Sequence, residues 1–298
     1  QTIWVQRIAR PVIALSATTE TVNQNVAMNG YTVTSTAGTV ASYSLTGTLP
    51  AGVSFSTTTG RITGTPTAAQ TATTYTITAT NISGSGTAIF TLTVVRTYAV
   101  GDTGPGGGIV FYVSAANFTS TGSDCGTTCK YLEAAPNNWG ASTTVEDLCR
   151  GVVADRDPEC LWSGNTTIAI GATAQGFVVG SGYANTQAAV GQAGGGNTAG
   201  HAVAAAWDYT NNTKSDWHLP SRDELNELCK YARNTGQAAG AAIICADGEL
   251  RTGFTGMTYW SSTEHNGEKV WVHPFGGLVT QDGKSWVGHV FRPVRAFG

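Results

Sequence analysis

A run of polar and aromatic residues crowds the last third of this chain: His265, Asn266, Glu268, Lys269, His273, Gln281, Asp282, Lys284, Trp286 and His289, separated by glycines. As titratable groups they set imidazoles beside carboxylates, because Glu264, Glu268 and Asp282 stand near His265, His273 and His289, and such sets can hold a metal ion. Their spacing fits no helix or hairpin ligand pattern, so no metal is expected there. As a surface, the same mixture of charge, amide and indole suits recognition of a ligand, displayed on strands and loops of a rigid scaffold with Trp286 as anchor. His273 shares strand phase with Trp271 and Phe275, which leaves open whether its imidazole meets ligand or core.

The other reactive residue types lead away from catalysis. Cys125, Cys129, Cys149, Cys160, Cys229 and Cys245 all lie beyond residue 124. A zinc site calls for CxxC pairs with histidine at ligand spacing, and the nearest pair, Cys125 and Cys129, has no histidine beside it. Disulfides are expected, and with them an oxidising, extracytoplasmic setting. Pairing in sequence order closes the shortest loops, one of many connectivities that six cysteines permit. Ser261 and Ser262 lack the G-x-S-x-G context of a strained nucleophile. The glycine-rich stretch 101–108, GDTGPGGG, feeds a strand at 109–113 rather than a helix N-terminus, so a tight turn is expected and not a phosphate cradle. Asp155, Asp157 and Glu159 are the residues a structural calcium would use; no other cofactor is expected.

The elements that must position these residues fall into two parts. The length of 298 residues suits two domains. Charged residues make up only 12%, but an apolar fraction of 41% with 8 Trp excludes a disordered chain. Sixteen Lys plus Arg nearly balance 19 Asp plus Glu, with no basic stripe, which argues against nucleic acid. No stretch reaches the ~18–20 apolar residues of a membrane span. A start at Gln1 rather than Met fits removal of a leader or excision from a precursor. Composition changes after Arg96: residues 1–97 are Thr-rich and hold neither Cys nor Lys. There Tyr75, Ile77 and Ala79 alternate with Thr, and Ala88, Phe90, Leu92 and Val94 repeat the spacing after a turn, the mark of antiparallel strands. Residues 1–11, with Trp4 and Val5, are expected as an extended lead-in or linker, with strand addition to a neighbouring sheet as the alternative. In the second part, Ser221 and Glu224 form a capping box ahead of a helix to about residue 233, a second helix is expected around 198–209, and 171–196 is expected as loop.

The segment 43–66, YSLTGTLPAGVSFSTTTGRITGTP, sets Leu49, Pro50, Gly52, Phe55, Thr59, Gly60, Ile62, Gly64, Thr65 and Pro66 in an LPxGxxF…TGxIxGTP pattern. It resembles the immunoglobulin-like repeats of bacterial surface proteins, over roughly residues 12–97. The resemblance implies an all-β sandwich acting as spacer or stalk, with no catalytic residues.

Three motifs follow in order in the second part: WHLPS at 217–221, YWSSTE at 259–264 and FRPVRAF at 291–297. With GGGIVFYV near residue 107 and YLEAAP at 131–136 they resemble the C-terminal domain family of bacterial collagen-like adhesins, a C-type-lectin-like branch close to the formylglycine-generating-enzyme type. The resemblance covers about residues 98–298 and implies an α+β, loop-rich, disulfide-stapled head. Trp217 and Trp260 are expected as core pillars whose indole N–H meets a carbonyl, and Arg292 and Arg295 as partners of buried carboxylates or carbonyls. Formylglycine-generating enzymes use redox-active cysteines near the substrate groove; no Cys follows Cys245, so that activity is not expected to carry over. Calcium lectins use EPN or QPD with WND, whereas this chain has Ala135-Pro136-Asn137 and no WND. The order of WSSTE, a polar tract and RPVRAF is similar to variable proteins of diversity-generating retroelements, in which the tract is the diversified ligand site. The combined expectation is a cell-surface or secreted binding or adhesion protein, not an enzyme, that recognises a protein or glycan through 265–289. The alternatives are a subunit of a surface filament or homo-oligomer joined through residues 1–11, and an enzyme of the formylglycine-generating type.

Overall fold

The computed structural model describes residues 7–137, 139–142, 149, 157–233, 245 and 248–298; Trp4, Val5 and Asp155 lie outside them. The chain forms two compact units, Gln1–Thr97 and Tyr98–Gly298.

In the first unit the Thr-alternating segments become two long strands, β7 (Gln70–Asn81) and β8 (Gly84–Val95), joined by a tight turn. They are the centre of a sheet that β2 (Thr19–Asn23) extends in parallel along β8 and β4 (Ser42–Thr46) extends antiparallel along β7. The pairs β1 (Val12–Leu15) with β3 (Val33–Ala37) and β5 (Val53–Phe55) with β6 (Ile62–Gly64) complete the sandwich. Period two puts Tyr75, Ile77, Ala79, Phe90, Leu92 and Val94 into one core with Ile13, Tyr31 and Ile62 from the second layer. Tyr31 and Tyr75 flank Phe90 at centroid separations of 4.3 and 5.1 Å. Gly52 and Gly64 take positive φ where two turns meet, and a Cβ at either would strike the other turn's backbone. Of the lead-in, residues 9–11 lie along this unit: Asn81 Nδ2 donates to the Ala9 carbonyl at 2.8 Å.

In the second unit β9 (Ile109–Phe118) and β10 (Cys129–Ala134) form a sheet closed by β14 (Val294–Phe297), so the unit's two ends are stitched together. A second antiparallel sheet holds β11 (Thr258–Glu264), β12 (Lys269–Pro274) and β13 (Thr280–Gly283). The helices are α1 (Gly182–Val190), α2 (Ala202–Asp208) and α3 (Arg222–Ala232). The capping box at Ser221 and Glu224 is formed, and α3 buries Leu225, Leu228, Cys229 and Ala232. Helix α1 corrects the loop expected over 171–196. It has no apolar stripe because it buries Asn185 and Thr186 alongside Ala189, so helical periodicity had nothing to reveal.

Three disulfides pair in sequence order: Cys125 with Cys129, Cys149 with Cys160, and Cys229 with Cys245. The glycine turn at 101–108 does bind an anion, but an internal one: the N–H groups of Gly106 and Gly108 donate to the Glu133 carboxylate at 2.9 and 3.0 Å. No described helix is long and apolar enough to cross a membrane.

Candidate functional site

The site is built outward from β11, whose residues Tyr259 to Glu264 are all buried. Trp260 donates its indole N–H to the Cys160 carbonyl at 2.8 Å, Ser261 Oγ to Trp271 O at 2.8 Å, and Thr263 Oγ1 to Gly176 O at 2.8 Å. Glu264 accepts from the backbone N–H of Ile170 and Gly171 at 2.9 and 2.8 Å. The WSSTE motif is therefore a hub that fixes surrounding loops, and its polar side chains are consumed internally.

The FRPVRAF motif supplies the complementary charges. Arg292 Nε donates to Asp157 at 2.8 Å, and the same carboxylate oxygen accepts the Trp139 indole at 2.8 Å. Arg295 reaches Glu133 at 3.0 Å, Asp124 at 3.2 Å, and Asp216. Asp157, expected as a calcium ligand with Asp155 and Glu159, thus already carries a guanidinium counter-charge. Trp217 departs from expectation: it is fully buried, with the Tyr209 ring at 5.1 Å, and its indole N–H meets no acceptor among the described residues.

The residues expected to bind ligand separate into two sets. His265, Asn266, Glu268, Lys269 and Trp286 are exposed, and Gln281 and Asp282 are half-buried. Pairing places them together: Lys269 opposes Gly283, and Lys284 N–H donates to Glu268 O at 2.8 Å, so the β11–β12 turn and residues 285–287 share one end of the sheet. Asn266 has a second task, since its Oδ1 accepts from the N–H of Glu268 and Lys269 at 3.0 and 2.9 Å and shapes that turn.

Three members of the tract do not face solvent, which corrects the reading of them as ligand groups. Lys284 is fully buried; its Nζ lies 2.7 Å from Glu264 Oε1 and 5.1 Å from the centre of the Trp162 ring, because a chain crossing over Glu264 must neutralise that carboxylate. His273 is buried on β12 beside Phe275, on the face that α3 covers, and burial pushes its imidazole down to about 4. His289 is buried against Trp260 at 4.5 Å and bonds Asp282 at 2.9 Å; burial lowers its pKa against the opposing pull of Asp282. The Trp286 ring centroid lies 6.3 Å from that of His289.

The structure adds a neighbouring cluster. Trp271 on β12, opposite Gln281, sits edge-on to His265 at 5.8 Å and to Phe177 at 5.8 Å, while the Arg222 guanidinium lies 4.1 Å from the Phe177 ring and 5.4 Å from that of Trp271. In sequence Trp271 was noted only for sharing strand phase with His273, and Phe177 and Arg222 not at all, because only the fold brings 177, 222 and 271 together. A separate cavity of about 350 Å³ is lined by Thr103, Asn137, Tyr231, Arg251, Thr252 and Phe254 among others, and none of its lining residues is a carboxylate, cysteine or histidine.

With this geometry in hand, the family similarity falls on the first unit. Residues 9–95 match the family model described as "Putative Ig domain", and that segment is an Ig-like domain. Among solved structures, human protocadherin-24 EC1-2 is similar at 9% identity over 30% of this chain and 44% of its own, with a TM-score of 0.25. A chimeric titin bearing an exogenous peptide from decorin is similar at 20% identity over 31% of this chain and all of its own, TM-score 0.25. Murine CEACAM1b is similar at 13% identity over 30% and 47%, TM-score 0.22. No curated protein matches the chain.

Proposed function

We propose that the protein is an extracellular or cell-surface binding protein, with the Ig-like domain as spacer and a C-type-lectin-like head that recognises a protein or glycan through the end of the β11–β13 sheet. The observation that carries this reading is the contrast within one short segment. The frame residues Trp260, Glu264, Lys284 and Arg292 are buried and satisfied internally, Lys284 by Glu264, Arg292 by Asp157 and Trp260 by backbone, while His265, Glu268, Lys269, Gln281 and Trp286 project around them with an indole that is 56% exposed. Exposed tryptophan beside mixed charge is the composition of a binding hot spot, and a frame that does not use those side chains leaves them free to vary. That freedom also suits the ligand-site role of diversified retroelement proteins, which the motif order resembles. The Ig-like domain and the disulfides agree with a location outside the cytoplasm. Binding here needs a preformed surface and no covalent step, so catalysis is not part of this reading.

The test is a glycan and surface-protein array probed with the whole chain and with Trp286→Ala plus Lys269→Ala. Binding should fall at least tenfold with the melting temperature unchanged. Unaltered binding by a folded double variant would move the site elsewhere.

A further inference from the structure

Helix α3 and strand β12 bring together three metal-binding residue types that the sequence keeps apart. Cys229 on α3, Cys245, and His273 on β12 each place one donor atom within 4.8 Å of the others, and all three residues are buried. Cys229 and Cys245 are joined as a disulfide, their Cα atoms 5.6 Å apart. A disulfide has no use for a neighbouring imidazole, yet His273 is 98% buried there with its Nδ1 lacking any hydrogen-bond partner among the described residues. An unmet buried polar atom carries a desolvation cost that an apolar side chain on β12 would avoid.

We propose that Cys229, Cys245 and His273 form a zinc-binding site in the dithiol state of the protein, so that this corner of the second unit has two mutually exclusive forms, disulfide or metal-bound. Every chain is synthesised with thiols, so the metal form needs no reductant. Binding forms two Zn–S bonds and one Zn–N bond and releases the two thiol protons, with water at the fourth position. A tetrahedral site with bonds of about 2.0–2.3 Å sets donor atoms roughly 3.5–3.8 Å apart, so the two sulfurs bonded in the disulfide form must part to that spacing, with the imidazole already within 4.8 Å of them. Two thiolates and Zn²⁺ sum to zero charge, which permits burial without a further counter-ion. Passage to the disulfide form joins the two sulfurs, sends two electrons to an oxidised dithiol carrier and frees the ion. This inference is independent of the ligand-binding reading above.

The experiment uses the whole chain, oxidised or reduced with a phosphine, titrated with Zn²⁺ and followed by melting and by X-ray absorption at the zinc edge. The reduced chain should bind zinc with two sulfur and one nitrogen neighbours and melt higher with zinc than without; the oxidised chain should show no zinc effect on melting. His273→Gln should weaken binding at least tenfold and Cys229→Ser should abolish it, whereas Cys125→Ser with Cys129→Ser should change nothing. A reduced chain that takes up no zinc, that gives sulfur-only coordination, that shows no cooperative melt even with zinc, or that binds equally after His273→Gln would overturn the proposal.

Discussion

The two units solve the same problem with different materials. Among the described residues of 7–97 the buried side chains are apolar or tyrosine, and Tyr31 and Tyr75 each satisfy their hydroxyl on a backbone carbonyl, at 3.0 and 3.1 Å. Buried polar and charged side chains begin at Ser120 and run to Arg295, all in the second unit, and include Glu133, Asp157, Glu264, Lys284, Arg292 and Arg295. Regular antiparallel strands satisfy their own backbone and need only an apolar face. A unit built largely from loops leaves backbone N–H groups that side-chain carboxylates must satisfy, as Glu133 does for Gly106 and Gly108 and Glu264 for Ile170 and Gly171. Each such carboxylate then requires a buried cation. Irregular backbone thus calls for internal charge, and internal charge fixes the frame that carries the exposed tract.

Breaking one buried pair should expose this difference most strongly. Lys284→Met leaves the Glu264 carboxylate unneutralised, and a loss of about 3–5 kcal/mol in the unfolding free energy of the second unit is expected from denaturant titration. Adding Glu264→Gln should recover more than half of that, since a neutral amide oxygen can still accept from Ile170 and Gly171. A single variant within about 1 kcal/mol of wild type would show that the pair does not hold the frame.

Acid should separate the units next. The His273 imidazole, held at about 4, binds its proton in the unfolded chain first, whose ordinary value is 6.5. Its contribution is intact above about pH 6.5 and lost as pH falls towards 4, by up to roughly 3 kcal/mol, with the depressed His289 acting in the same direction. All five histidines lie beyond residue 200, so the Ig-like domain should lack this component. Melting from pH 7 to pH 4.5 should destabilise wild type more than His273→Phe. The smallest effect is at the helix cap: Ser221→Ala should cost about 1 kcal/mol, read from the same denaturant curves.

These contrasts also explain what could be read from the sequence. Tyr75, Phe90 and their neighbours announce strands because period two is a local signal, and Ser221 with Glu224 announces α3 because a cap spans four residues. The disulfide pairs closed in sequence order, as short loops favour. Lys284 was misjudged because its partner Glu264 lies 20 residues away and a lone lysine between Gly283 and Ser285 looks like surface. Helix α1 escaped because its buried face carries Asn185 and Thr186, and Asn185 is matched by the Gly176 carbonyl, a partner only tertiary structure supplies. The Phe177, Arg222 and Trp271 cluster needed three separate elements to meet. Local periodicity reports cores of apolar residues; buried polar frames are non-local and appear in sequence only as motifs.

The central claim is that the frame stands without the side chains it displays, and one measurement meets it head-on. Replacing His265, Glu268, Lys269, Gln281 and Trp286 together by alanine and recording the thermal melt should leave the midpoint within about 3 °C of wild type, since exposed substitutions each carry only a few tenths of a kcal/mol. A fall of about 10 °C or more, or loss of a cooperative transition, would mean that these residues belong to the core and not to a binding face.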